Sequence, residues 1–333
     1  MEYGIGILGV GYTVPEEVRT NDAPVFDWLR DHQPAGKDLF AGYLERRVLA
    51  PGETVTDLLL SAAQRAMDHA GCSPEEIGLL LGYVSVSKYG NPNGLGEVHK
   101  SLGLPEGALI VPVNNEFNNF NSAILIAQGL LPRTGGKRAL IACAGNWTRH
   151  VDYQTPQSLS AADGAGAAVV GPTSDPAHFT VLDHETVVWS DNFGAMFMAG
   201  DAVTTNPDCD WSPRDCTFTT PYFHISKAGE NEYRNFGVQA PPLAVKRLLK
   251  RNKLTGADIA LVTHQSSSVL LDAWKEAIQP AQYLETLEQF ANMTVANLPV
   301  NLAYWYDRIS TEYLVINGIG VEGQTNAVLL KRG

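Results

Sequence analysis

EEIGLLLGYVSVS at residues 75–87 and ADIALVTHQSSS at residues 257–268 run through the same order: an acidic helix end, an apolar run and a serine-containing turn. Two further stretches echo each other in the same sense. KRALIACAGN (137–146) is answered by TEYLVINGIG (311–320), and DGAGAAVVG (163–171) by EGQTNAVLLK (322–331). Short apolar runs without alternation read as strands buried on both faces. Their recurrence predicts an α/β fold of two similar halves, 1–172 and 173–333, each about the size of one domain. Helices between the strands imply mainly parallel sheets covered on both faces.

Outward from these runs, strand and helix keep alternating. Residues 3–11 read as a buried strand that Val14-Pro15 breaks. Between Glu53 and Ala70 the spacing of Leu58, Leu59, Ala62, Ala63, Ala66 and Met67 is helical, and Gly71 supplies the stop. Strands follow at 108–113, 139–146 and 165–171, with a helix at 118–131. The stretch 187–222 has no period and is dense in Asp, Pro, Gly and aromatics, so it reads as one long loop of the lid or binding kind.

The 333 residues carry 24 basic and 36 acidic side chains, a net charge of −12, which argues against nucleic acid as a partner. With 44% apolar and 18% charged residues the chain has the composition of a globular protein, and no apolar run approaches a membrane span. MEYGIGILGVGYTV at the N-terminus has no basic region or cleavage signature, so a reduced, cytoplasmic protein is expected, without a disulfide between Cys209 and Cys216. Gly4, Gly6 and Gly9 spell GxGxxG, but they lie inside the first strand instead of following it, and no nucleotide site is assigned. Without a Walker loop, an HExxH pair or a GxSxG elbow, the reading assigns no cofactor and no metal. His178, His184 and His150 lack ligand spacing and read as surface histidines. His264 is different, since it ends the strand IALVTH, and the carboxyl ends of such strands face ligands. Asn292 lies in a polar turn before a helix that begins near Pro299.

Six segments in this order resemble ketoacyl-ACP synthase III of the thiolase superfamily: LERRVLAPGETV (44–55), AGCSPEEIGLLL (70–81), ADGAGAAVVG (162–171), VTHQ (262–265), ANMTVANLP (291–299) and GIGVEG (318–323). The resemblance implies a five-layered αβαβα sandwich, usually a homodimer, that acts on acyl thioesters of CoA or acyl carrier protein. It also implies that His264 is the histidine of the strand-His-Gln motif and Asn292 the asparagine of the Gly-Asn-Thr turn, with Ala291 in place of the glycine. Gly320 corresponds to a backbone donor toward the thioester oxygen.

The family's nucleophilic cysteine has no counterpart. Alignment of the segment VNNEFNNFNSAI (113–124) puts Phe117 at that position, and a one-residue shift puts Glu116 there. Neither forms an acyl-enzyme. Cys143 falls in a core strand and Ser122 one helical turn further on, so neither replaces it. Glu116 is a candidate general base with a raised pKa or a first-turn glutamate serving the helix dipole. The positions that sandwich the CoA adenine in the family fall at Gly36 and Phe40, which puts ordinary CoA binding in question. Lys246, Arg247, Lys250, Arg251 and Lys253 form a basic helix stretch, suited to steering an acidic carrier protein or to complementing a helix C-terminus. The sequence thus leads to a ketosynthase III-like acyltransferase without a cysteine acyl-enzyme, with His264 as base and Asn292 and Gly320 as oxyanion contacts. Its rivals are a non-catalytic subunit paired with an active homologue and a cysteine-less decarboxylase or cyclase.

Overall fold

Ten residues of backbone, Gly4–Thr13, form the first strand, β1, and its glycines are there for close packing. A Cβ on Gly9 would lie 2.5 Å from the Ala70 amide nitrogen and 2.6 Å from the Ala66 carbonyl oxygen. The computed structural model describes residues 4–36, 38–89, 91–135, 137–201, 220–226 and 230–333. After β1, the short strands β2 (Val18–Thr20) and β3 (Glu45–Arg47) pair as a separate antiparallel ribbon, with helix α1 (Asp27–His32) between them in the chain. Helix α2 (Val55–His69) starts at a capping box in which Thr54 and Asp57 each satisfy the other's backbone N–H. Strand β4 (Ile77–Val84), helix α3 (Leu95–Ser101), strand β5 (Leu109–Pro112), helix α4 (Asn119–Leu130) and strands β6 (Arg138–Asn146) and β7 (Asp163–Thr173) follow.

The remaining elements are β8 (Phe179–Val188), β9 (Met196–Asp201), β10 (Thr220–Ile225), α5 (Glu230–Arg251), β11 (Ile259–Thr263), α6 (Ser268–Ile278), β12 (Gln282–Leu284), α7 (Leu287–Phe290), α8 (Asn297–Trp305), β13 (Tyr313–Gly320) and β14 (Gln324–Lys331). Within the stretch expected as a loop, 187–222, the end of β8 and the paired β9 and β10 are strand. Residues 202–219 of that stretch, with Cys209 and Cys216, lie outside the described residues.

The large sheet has ten strands in the order β12-β11-β13-β14-β8-β1-β7-β6-β4-β5. Read outward from its middle, β1-β7-β6-β4-β5 and β8-β14-β13-β11-β12 have the same sequence of directions. In each, the first three strands run antiparallel and the outer two are parallel to the third. The two sets meet only through Gly6 with Thr180 and Ile7 with Phe179. The mainly parallel arrangement expected from the strand–helix alternation is therefore wrong. EGQTNAVLLK turns back beside β13 through residues 321–323, which have no room for a crossover helix, and DGAGAAVVG turns back beside β6 after residues 147–162, whose helical pieces are short 3-10 turns.

Helices cover this framework in layers. Helix α2 packs on β1, β7 and β6, and α5 on β14, β8 and β13. Between them α4 touches both β4 and β6 and also β13 and β14, while α8 touches β7, β1 and β11. Pro241 within α5 has no N–H for the Gly237 carbonyl, and Trp274 Nε1 donates to it instead at 2.8 Å. Among the described residues no helix is long and apolar enough to cross a membrane.

Glycines let the central layer sit close to the strands. Gly145 and Gly164 are cross-strand partners on β6 and β7. A Cβ on Gly145 would meet Thr294 Oγ1 at 2.4 Å, and one on Gly164 would meet Met293 Sδ at 2.6 Å. On β13, Gly318 would meet Asn118 Oδ1 at 2.3 Å. These approaches seat the turn before α8 and the tip of α4. Gly145→Ala is expected to destabilise the fold by about 2–3 kcal/mol, as overpacking of a close-packed site does, read from the midpoint shift in urea unfolding.

Candidate active site

His264 follows the last residue of β11, and its backbone N–H donates to Asn317 O on the neighbouring β13 at 3.0 Å. The imidazole is 2% exposed, and burial pushes its pKa down to about 3. A neutral ring is therefore present at physiological pH. Its Nδ1 faces Asn297 Nδ2 at 3.1 Å, and the same amide nitrogen lies 2.7 Å from Asn292 Oδ1 and 3.0 Å from Gln265 O. His264 and Asn292, 28 residues apart in sequence by their numbers, thus share one hydrogen-bond donor.

The donor directions follow from these contacts. Asn297 Oδ1 accepts from Met293 N–H at 2.8 Å, so its other end is the NH2 group. A ring nitrogen facing an NH2 presents its lone pair, which leaves the hydrogen of His264 on Nε2. Asn292 Oδ1 also accepts from Thr294 N–H at 2.9 Å, so the Asn292 NH2 is left for other partners. The turn that carries Asn292 is strained. Ala291 has φ 49° and ψ −138°, a region that favours glycine, and Thr294 has φ 53°. The absent glycine of the Gly-Asn-Thr motif is thus met by an alanine held in the glycine conformation.

Phe117 lies against the same imidazole. The two rings are parallel within 13°, with centroids 4.9 Å apart, and Phe223 packs against Phe117 at 5.6 Å, tilted by 47°. The Phe117 N–H donates to Ile319 O at 3.1 Å, and Glu116 O accepts from Val321 N–H at 2.6 Å, so the GIGVEG segment clasps the helix tip. A Cβ on Gly320 would lie 2.7 Å from Asn118 Nδ2 and 3.0 Å from Glu116 O, which places Gly320 beside that tip. Asn118 donates to Gln324 O, and Asn121 to Ile316 O and Asn326 O, fastening α4 to β13 and β14.

The Glu116 carboxylate accepts from Ser85 Oγ at 2.7 Å. Burial pushes this carboxyl up to about 7, the Ser85 hydroxyl opposes that shift, and the negative charge of Glu322 adds to it. Cys143 is fully buried in β6, where burial pushes its thiol up to about 12. Ser122 is held by Asn115 Nδ2 at 2.8 Å, one turn into the helix. Two contributors escaped sequence reasoning, Asn297 and Ser85. Asn297 was visible only as a polar residue before Pro299, and Ser85 only as a serine at the end of an apolar run.

Other expectations are altered by the packing. His150 is fully buried, so it is not a surface histidine; its carbonyl accepts from Phe223 N–H, and its ring lies 3.3 Å from Asn146 Nδ2. Arg251 is bound to Asp183 and Glu185, and Arg247 to Glu185, so two charges of the basic stretch are neutralised by β8. Lys246, Lys250 and Lys253 remain exposed. Gly36 stands in the open, and Phe40 leans edge-on against Phe26 at 5.9 Å.

A sequence profile for 3-oxoacyl-[acyl-carrier-protein (ACP)] synthase III matches residues 113–187. Beta-ketoacyl-[acyl-carrier-protein] synthase III of Escherichia coli (strain K12) is 25% identical over 300 residues, 89% of this chain and 88% of that protein. The Salmonella paratyphi B protein of the same name is 26% identical over 301 residues, again 89% and 88% of the two chains. In three dimensions, 3-oxoacyl-[acyl-carrier-protein] synthase III of Aquifex aeolicus VF5 superposes with a TM-score of 0.79 at 20% identity, covering 98% of this chain and 100% of that one. The priming beta-ketosynthase of the R1128 polyketide pathway gives 0.81 at 22% identity, covering 99% and 97%. The fold is thiolase-like. Over 89% of its length the chain is thus similar to ketoacyl-ACP synthase III, and in this chain Phe117 lies against the His264 imidazole.

The raised Glu116 pKa has a stability consequence with a definite sign. Its folded value, about 7, exceeds the ordinary 4.5, so folding favours the protonated form. That contribution is complete below the ordinary value and is lost as pH rises through 7. Glu116→Gln is therefore expected to be more stable than the wild type by about 3 kcal/mol at pH 8, with most of the difference gone at pH 5. Urea unfolding at the two pH values measures it.

Proposed function

We propose that this protein is a ketosynthase III-like acyltransferase acting on an acyl thioester without a cysteine acyl-enzyme. The observation that carries the reading is Phe117 stacked on His264, where the family resemblance implies a thiol. In this reading Phe117 takes the nucleophile position and Glu116 stands beside it as the titrating group. A biosynthetic pathway supplies an acyl group on acyl carrier protein or CoA, whose shared pantetheine arm presents the thioester. The altered positions Gly36 and Phe40 favour the carrier protein over CoA, with Lys246, Lys250 and Lys253 left to meet its acidic surface.

The roles follow from the hydrogen bonds. His264, with its hydrogen on Nε2, cannot be the base expected from the sequence and instead donates to the thioester oxygen. The Asn292 NH2 donates with it, and Gly320 is the backbone contact at the helix tip. Glu116, half-ionised near pH 7, takes the proton of a hydroxyl or amine acceptor as that acceptor attacks the carbonyl carbon. The tetrahedral oxyanion collapses, the carbon–sulfur bond breaks, and the proton passes to the departing thiolate. The result is an ester or amide and a free thiol. A homodimer joined through the edge strand β5, where Leu109 is exposed, is the assembly this reading carries.

Burial of Phe117 in contact with His264 and Phe223 also favours a second reading, a non-catalytic subunit whose acyl pocket is filled by the ring. Purification separates the two: the enzyme is active alone, whereas the subunit is inert and depends on co-expression with an active homologue.

An acyl-pantetheine thioester with hydroxylamine as acceptor provides the assay. Intact-protein mass spectrometry should show turnover with no stable adduct, and an acyl adduct on Cys72, Cys143, Cys209 or Cys216 would overturn the proposal. The rate should rise with pH through about 7 and level off, and Glu116→Gln should remove that rise. His264→Ala should lower kcat by about a hundred- to a thousandfold, the cost of losing one oxyanion donor.

A further inference from the structure

Taking the acyl-transfer reading as its basis, we propose that Asn297 is a positioning residue that selects the tautomer of His264 and aims the Asn292 amide, so that one buried carboxamide sets both donors. Asn297 is fully buried in the first turn of α8. Its orientation is fixed at both ends. Met293 N–H, which can only donate, faces Oδ1 at 2.8 Å, and Gln265 O, which can only accept, faces Nδ2 at 3.0 Å. A flipped amide would set oxygen against the Gln265 carbonyl and the Asn292 carboxamide oxygen, and NH2 against the Met293 N–H.

The held NH2 then reaches Asn292 Oδ1 at 2.7 Å and His264 Nδ1 at 3.1 Å. Its two hydrogens are shared among three acceptors, so His264 and Asn292 respond together to any change at this residue. The mount is rigid. One turn along α8, Asn301 Nδ2 donates to Gln265 Oε1 at 2.8 Å, Asn301 Oδ1 accepts from Thr286 Oγ1 at 2.6 Å, and Gln265 Nε2 donates to Ala291 O. Among the described residues the hydrogen bond to the imidazole comes from Asn297 Nδ2, so that contact decides which ring nitrogen carries the hydrogen.

The test replaces the donor by an acceptor of the same shape. In protein labelled with 15N-histidine, with the signal assigned by its loss in His264→Gln, wild-type Nδ1 should resonate as a pyridine-type nitrogen and Nε2 as a pyrrole-type one. Asn297→Asp should exchange the two assignments, because a carboxylate oxygen beside Nδ1 takes the hydrogen there. Asn297→Ala should give averaged shifts from a mixture of tautomers, and it decides the matter if the aspartate variant does not fold. A wild-type ring with its hydrogen on Nδ1, or an Asn297→Ala ring that keeps the pure wild-type pattern, would overturn the proposal.

With the acyl-pantetheine and hydroxylamine assay, Asn297→Asp should lower kcat about a hundredfold with little change in KM, because an oxyanion donor has become an acceptor. The resting-state spectra need no turnover. An inactive wild-type protein with the expected tautomer would sink the acyl-transfer reading alone, and an active one with the other tautomer would sink this proposal alone.

Discussion

A buried polar side chain loses water as a partner, and the carboxamides of Gln265, Asn292, Asn297 and Asn301 bond to one another and to nearby backbone instead. Each is at most 4% exposed. Within a low-dielectric interior an unmet amide costs about 1–3 kcal/mol. The network is thus a constraint on geometry as much as a source of stability. It ties the end of β11 to the turn before α8 and to the first two turns of α8, and the imidazole of His264 sits at its edge with one nitrogen already committed.

The sheet makes this meeting possible. In the half that begins at β8, β11 lies beside β13, which delivers VTHQ and GIGVEG to the same end. In the other half, β6 and β7 meet the turn 291–296 through glycines, so that the tip of α8 enters between the two halves. The tip of α4 enters from the other side, clasped by Ile319 O and the Val321 N–H. Two helix ends and two strand ends therefore converge on one point. The side chains that face each other there are an imidazole, two carboxamides and an aromatic ring, and the Glu116 carboxyl lies next to that ring in the chain, bonded to Ser85.

That composition changes the chemistry available. A thiol at a helix tip supplies a nucleophile, whereas a phenylalanine supplies only surface, and its stack on His264 covers one face of the ring. What is left is electrostatic: donors aimed where negative charge develops, and one carboxyl whose pKa is brought near neutrality by the same burial that depresses the imidazole's. Desolvation moves the two groups in opposite directions. It makes the histidine a permanent neutral donor and the glutamate the group that titrates.

Much of this was written locally. The recurrence of EEIGLLLGYVSVS in ADIALVTHQSSS and the helical spacing from Leu58 to Met67 were enough for an α/β fold, because burial and period are properties of neighbouring residues, whereas VTHQ and ANMTVANLP pointed to His264 and Asn292 through a family resemblance. Strand direction was not legible, since β7 and β14 are buried along nearly their whole length and such an apolar run reads the same for either sense. Nor was the burial of His150, which depends on elements distant in sequence. The hydrogen on His264 was decided by Asn297, 33 residues away in the chain, and the Glu116 carboxyl was brought near neutrality by desolvation and by Glu322 across the fold. Which residues are present is a fact of sequence. Which way a proton or an amide points depends on what lies within hydrogen-bonding distance, and only the folded chain fixes that distance.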